Sequence, residues 1–116
     1  MPNTTSYSRG DVVLVPFPFT DLSGQKKRPA VVVSSNTYNQ SQDDLVLAQL
    51  SSQVSRPVPT DEYLLTGWQQ ANLLHPSVVR PKLFTIDSSL IIRALGQLSA
   101  IDMAGLDSRL RLILHL

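Results

Sequence analysis

The chain has 116 residues, 42% of them hydrophobic and 16% charged, which supplies enough apolar material for one core and excludes the charge-rich composition of a disordered segment. Ten Lys and Arg against nine Asp and Glu leave a formal net charge of +1, so bulk charge cannot coat nucleic acid and any such contact must be a local patch. The absence of cysteine excludes disulfides and thiolate zinc sites and suits a reducing cytoplasm. No run reaches the roughly 18 apolar residues of a membrane span, and the N-terminal stretch lacks an apolar signal-peptide core.

Residues 1–8 are polar and are expected to be a flexible leader, with one domain over residues 9–116. Residues 12–15 are a β-branched and aliphatic run that predicts a strand, and Pro16 and Pro18 are expected to interrupt any regular ladder beyond it. Asp21 to Gly24 has the composition of a turn. Gln25 to Arg28 then lead into a second strand over residues 29–34, with Pro29 as its tolerated first residue. Residues 35–44 read as a polar connection and residues 45–50 as a third strand. Pro57 and Pro59 predict an extended loop over residues 54–60, followed by a short strand over residues 62–65. Gly67 and Pro76 leave room for no more than a turn of helix between them. Three further strands are predicted at residues 78–79, 83–86 and 90–95, separated by Pro81 and by the Asp87-Ser88-Ser89 turn. Ser99 is placed to cap a helix with Asp102 in its first turn, and Met103, Leu106, Leu110 and Ile113 form its apolar stripe. Many short strands and one terminal amphipathic helix predict a mainly β protein, a small barrel or compact antiparallel sheet with added helices.

The segment RGDVVLVPFPFTDLSGQKKRPAVVVSS, residues 9–35, resembles the N-terminal half of the MazF/PemK-like toxin family, through Gly10-Asp11 before the first strand and Arg28-Pro29-Ala30-Val31-Val32 opening the next. The likeness continues through LAQLSSQ at residues 47–53 and, less distinctly, through PSVVRPKLFTI at residues 76–86. The resemblance implies an SH3-like barrel with a C-terminal helix, usually a homodimer. It also implies a metal-independent endoribonuclease acting on single-stranded RNA without a cofactor, held in check by a cognate antitoxin. The family's characteristic Arg falls on Arg28, and its second active-site position, normally Thr, falls on Ser51, or on Ser52 if the register shifts by one. Serine keeps the hydroxyl and loses the methyl that restricts its rotamers. Gln49 stands where many members have Pro.

A guanidinium can make two oriented, charge-assisted contacts to phosphoryl oxygens, and it stays protonated at ordinary pH, so Arg28 suits transition-state electrostatics rather than a general-base role. Without the resemblance it would read as a solvated charge beside an edge strand. The Ser51 hydroxyl can donate to phosphate or orient the attacking 2′-hydroxyl, or it can merely end a strand. Lys26 and Lys27, on an expected flexible loop, and Arg80 and Lys82, flanking Pro81, are either phosphate contacts or ordinary surface charge. Phe17, Phe19 and Tyr38 can stack on bases if exposed; the two Phe residues suit the core and Tyr38 the surface. His75 and His115 are not brought together by any local feature, and neither Asp43-Asp44 nor Asp61-Glu62 specifies a metal cage. Two other readings stay open: a catalytically weak module that retains the antitoxin surface, and a gyrase-directed toxin of the same fold.

Overall fold

The computed structural model describes residues 6–17 and 26–116. Its centre is a six-stranded sheet in the order β4-β5-β3-β2-β1-β6, with β1 at Asp11–Phe17, β2 at Lys26–Val32, β3 at Asp44–Ser51, β4 at Tyr63–Leu64, β5 at Val78–Asp87 and β6 at Arg93–Gln97. Every pairing is antiparallel, and the curled sheet with its C-terminal helix has the topology expected from the sequence. A short helix, α1, spans Asn36–Ser41, and α2 spans Ala100–Leu114.

The strands are apolar on both faces, and their alternation explains why. Val12, Val31, Ala48 and Leu50 join one core cluster with Leu106 and Leu110 of α2. The intervening Val13, Val15, Ala30, Val32, Leu45 and Leu47 join a second cluster with Ile91. Each fully buried Val or Leu side chain among them contributes roughly 1.5–3 kcal/mol. Helix α2 begins as predicted: the Ser99 side chain accepts from the Asp102 N–H, and Leu106 and Leu110 face inward.

Three departures from the sequence reading share a cause, which is that a proline or a polar run was judged without its neighbours. β1 continues through Pro16, paired with Lys27, and β2 begins at Lys26, so Lys26, Lys27 and Arg28 sit in a strand rather than a loop and Pro29 is internal. The pairs Leu14↔Pro29 and Pro16↔Lys27 are two steps apart and so belong to the same class of antiparallel pair. On their outer sides, β6 pairs β1 only over Asp11 to Leu14 and β3 pairs β2 only over Ala30 to Val32. The missing donors thus lie beyond those outer ladders. Pro81 likewise does not divide a strand: Leu50 pairs Val79 and Ala48 pairs Leu83, so Arg80, Pro81 and Lys82 bulge opposite Gln49 and β5 runs on. The polar connection contains α1, whose N-cap Ser35 accepts from the Tyr38 N–H.

The last strand is also displaced. Ser88–Leu90 forms a 3-10 turn and β6 starts only at Arg93, because Asp87 caps the turn by accepting from the Ser89 N–H. The turns over residues 68–72 and the non-helical loop over residues 54–60 agree with the sequence reading. Phe19 and the Asp21 to Gly24 turn lie outside the described residues, as does the Phe17 side chain. Among the described residues, no helix is long and apolar enough to cross a membrane.

Candidate functional site

The end of the β2–β3 ladder organises the site. Ala30 pairs with Gln49 as the last matched residues, and beyond them Arg28 of β2 and Ser51 of β3 each lie two residues further along their strands. The strands stop pairing here because Pro29 has no N–H to offer. A cleft of about 630 Å³ opens at this point, lined by Lys26, Lys27, Arg28 and Pro29 of β2, by Leu14, by Leu50, Ser51 and Ser52, and by Arg93 and Leu95 of β6. Asn72, Leu73, Leu74, His75 and Ser77 complete its lining.

That last wall is held from several directions. The Asp102 carboxylate is fully buried. It accepts from the backbone N–H groups of Thr66 and Gly67, both at 2.9 Å, and from the hydroxyls of Thr66 and Tyr63, both at 2.8 Å. Burial alone would raise the Asp102 pKa, but these donors outweigh it and hold the carboxyl below its ordinary value. Asn72, in the left-handed region at φ 60, donates its side-chain amide to the Leu95 carbonyl at 2.6 Å. Gly96 is needed for this approach, since a Cβ there would stand 2.8 Å from the Ala71 carbonyl oxygen.

The electrostatics of the lining are one-sided. Among the described residues it contains Lys26, Lys27, Arg28 and Arg93 and no Asp or Glu, although the chain as a whole carries only +1. Arg28 is half-buried, Lys26, Lys27 and Ser52 are exposed, and Ser51 is buried at 5% relative exposure. The Ser51 oxygen accepts from the Gln53 N–H at 3.1 Å, which leaves its own hydrogen for another acceptor. Such an arrangement can bind a phosphodiester, stabilise added charge on its oxygens and orient one hydroxyl against it.

The structure therefore brings Lys26, Lys27, Arg28, Ser51 and Ser52 together. It places the other predicted residues elsewhere. Tyr38 lines a separate cavity of about 550 Å³ with Arg9 and Asp107; its hydroxyl donates to Asp44 at 2.8 Å, a bond that raises its pKa. Gln49 is half-buried opposite Ala30, and Lys82 is exposed on the β5 bulge. Arg80 donates from Nη2 to the Gln53 carbonyl at 3.2 Å and holds Nε 3.6 Å from Glu62. His75 borders the cleft, whereas His115 closes the C-terminus of α2 at φ 58. Arg93 and the segment at residues 72–77 carried no sequence signal for this cleft, since the β1–β6 ladder and the Asn72 bond to Leu95 bring them to it. Among the described residues, no group of three or more His, Asp or Glu is placed to hold a metal ion.

Comparison with known proteins identifies the family and the fold. Residues 8–114 match the family described as PemK-like, MazF-like toxin of type II toxin-antitoxin system. The chain is similar to an endoribonuclease solved in complex with its cognate antitoxin from a mycobacterial species, at 20% identity and a TM-score of 0.75, covering 96% of this chain and 97% of that one. It is similar to a chain of a MazE-MazF complex from Deinococcus radiodurans, at 20% identity and a TM-score of 0.77, covering 97% and 99%. A third similar structure is the Mycobacterium tuberculosis toxin MazF-mt6, at 18% identity and a TM-score of 0.72, covering 91% and 97%. At these identities the likeness establishes the fold alone. No curated protein sequence matches.

Proposed function

Because this chain belongs to the PemK-like, MazF-like family of type II toxin–antitoxin toxins, we propose that it is an endoribonuclease that cuts single-stranded RNA in the Arg28–Ser51 cleft. The observation that carries the reading is that Arg28 and Ser51 line one cleft beside the end of the β2–β3 ladder, together with Lys26, Lys27 and Arg93 and, among the described residues, no carboxylate. In the reaction the 2′-oxygen attacks phosphorus, the bond from phosphorus to the 5′-oxygen breaks, the 2′-hydroxyl loses its proton and the leaving oxygen gains one. Arg28 stabilises the charge that builds on the phosphoryl oxygens. Ser51 donates its hydroxyl hydrogen to phosphate, and Lys26 and Lys27 attract the backbone without selecting a base. The steps use the protein's own cations and no metal or cofactor. The assembly is a homodimer in the cytoplasm, and a cognate antitoxin occludes the cleft with a segment that orders on binding.

End-mapped cleavage of a random RNA pool in EDTA tests this with the wild type and the Arg28→Ala, Ser51→Ala and Ser52→Ala variants, each checked for fold and oligomeric state. Arg28→Ala is expected to lower turnover by about 100-fold or more with a smaller effect on binding. The wild type should leave 2′,3′-cyclic phosphate ends or their opened products. Of the two serines, Ser51→Ala should have the larger effect. Undiminished cleavage by folded Arg28→Ala protein, or none by folded wild type, overturns the assignment. In the latter case, retained antitoxin capture selects the binding module, and gyrase inhibition without RNA loss selects the gyrase-directed toxin.

A further inference from the structure

The β5 bulge points Arg80 at the loop that follows Ser51, and two bonds join them in series. Arg80 Nη2 donates to the Gln53 carbonyl at 3.2 Å, and the N–H of the same Gln53 donates to the Ser51 oxygen at 3.1 Å. We propose that Arg80 is a positioning residue for the Ser51 hydroxyl: it fixes the Gln53 backbone, whose N–H occupies a lone pair of the Ser51 oxygen and turns the hydroxyl hydrogen toward the substrate phosphate. This rests on the ribonuclease reading above and extends it to a residue that is absent from the cleft lining.

The surroundings favour a tether over a direct phosphate contact. The Arg80 side chain is only 26% exposed and Glu62, beside it, 15% exposed. A Glu62 carboxylate 3.6 Å from Nε would repel a phosphate approaching the same guanidinium. Both Nε of Arg80 and Oε1 of Glu62 are buried without a hydrogen-bond partner among the described residues. These two atoms are therefore closed to bulk solvent, and the fork lies between Glu62 and Gln53. Glu62 is anchored in turn, with its N–H donating to the Pro59 carbonyl at 3.0 Å and its carbonyl accepting from Arg109 Nε at 3.2 Å. A serine lacks the methyl that would restrict a threonine at this position, so its rotamer needs an outside constraint, and the Gln53 N–H supplies one.

The test is a double-mutant cycle on a short RNA substrate, with KM and kcat separated. Arg80→Ala is expected to lower kcat about ten-fold with KM changed less than about two-fold, and to cost less than about two-fold further in a Ser51→Ala background. A loss that persists in full without Ser51, or that falls on KM and its salt dependence, overturns the proposal in favour of direct RNA contact. Amide hydrogen exchange reads the tether without activity: Gln53 should exchange about ten-fold faster in Arg80→Ala, and again in Glu62→Gln to a smaller extent. Unchanged exchange at Gln53 in Arg80→Ala overturns the proposal even if turnover falls. Absence of cleavage by the wild type overturns the ribonuclease reading, and with it the role in turnover, while the exchange data still decide whether Arg80 holds Gln53.

Discussion

At the residue scale, Asp102 and Tyr63 couple helix α2 to the wall of the cleft and make the fold sensitive to pH at both ends. A carboxyl whose pKa is lower folded than unfolded stabilises the protein above its ordinary value of 3.8 and loses that contribution as pH falls. Tyr63 behaves in the opposite sense. Burial, then the hydrogen bond to Asp102 and its charge, push the phenol from 10.0 up to about 12, with Arg109 opposing. Between pH 10 and 12 the unfolded chain gives up this proton while the folded one keeps it, so the contribution is complete below 10 and is lost on the way to 12. Thermal unfolding followed across pH should therefore show a plateau with an acidic and an alkaline decline. Tyr63→Phe should make the alkaline limb shallower and Asp102→Asn the acidic one. An alkaline slope identical in Tyr63→Phe and wild type would show that the phenol is not held in this way.

At the element scale, the interior of α2 contains a glycine that helix propensity alone disfavours by about 1 kcal/mol relative to alanine. Gly105 is there because the Tyr63 ring occupies the space its Cβ would need. Gly105→Ala should consequently destabilise the protein, by about 1–3 kcal/mol of overpacking set against that propensity gain. A rise in denaturant midpoint would contradict the packing. The sequence could not disclose this, because the clash is with a residue on β4. It did disclose the strands rich in Val and Leu and the capped start of α2, where the signal lies within a few neighbouring residues. Pro16, Pro29 and Pro81 misled it for the converse reason: a proline breaks a ladder only where its missing N–H faces a partner, and register with other strands decides that. The same limit separates the parts of the site. Arg28 and the Ser51–Ser52 alternative could be named as candidates from the likeness of two short segments, whereas Arg93, the segment at residues 72–77 and the proposed Arg80 tether depend on strand order and on contacts distant in sequence.

At the scale of the whole molecule, a nearly neutral chain has gathered cations in one cleft, so under the proposed function its affinity for RNA is a local quantity. Lys26 and Lys27 stand on β2 beside Arg28, while Arg93 comes from β6, on the far side of β1 in the sheet order. Each lysine that neutralises a phosphate of a single strand releases condensed counterions, so binding should weaken linearly on a logarithmic salt scale by about 0.7 per contact. Lys27→Gln is expected to reduce that slope by about 0.7 and to weaken binding similarly for RNAs of different sequence, since a phosphate contact carries no base information. Fluorescence titration of unrelated oligonucleotides over a salt series, with an Arg28→Ala background to prevent cleavage, measures both. Lys82→Gln, on the exposed β5 bulge, is the comparison that separates a focused patch from a diffuse field. If it flattens the slope as much as Lys27→Gln, the RNA follows β5 rather than the cleft, because at physiological salt a charge more than about 8 Å from the strand is largely screened.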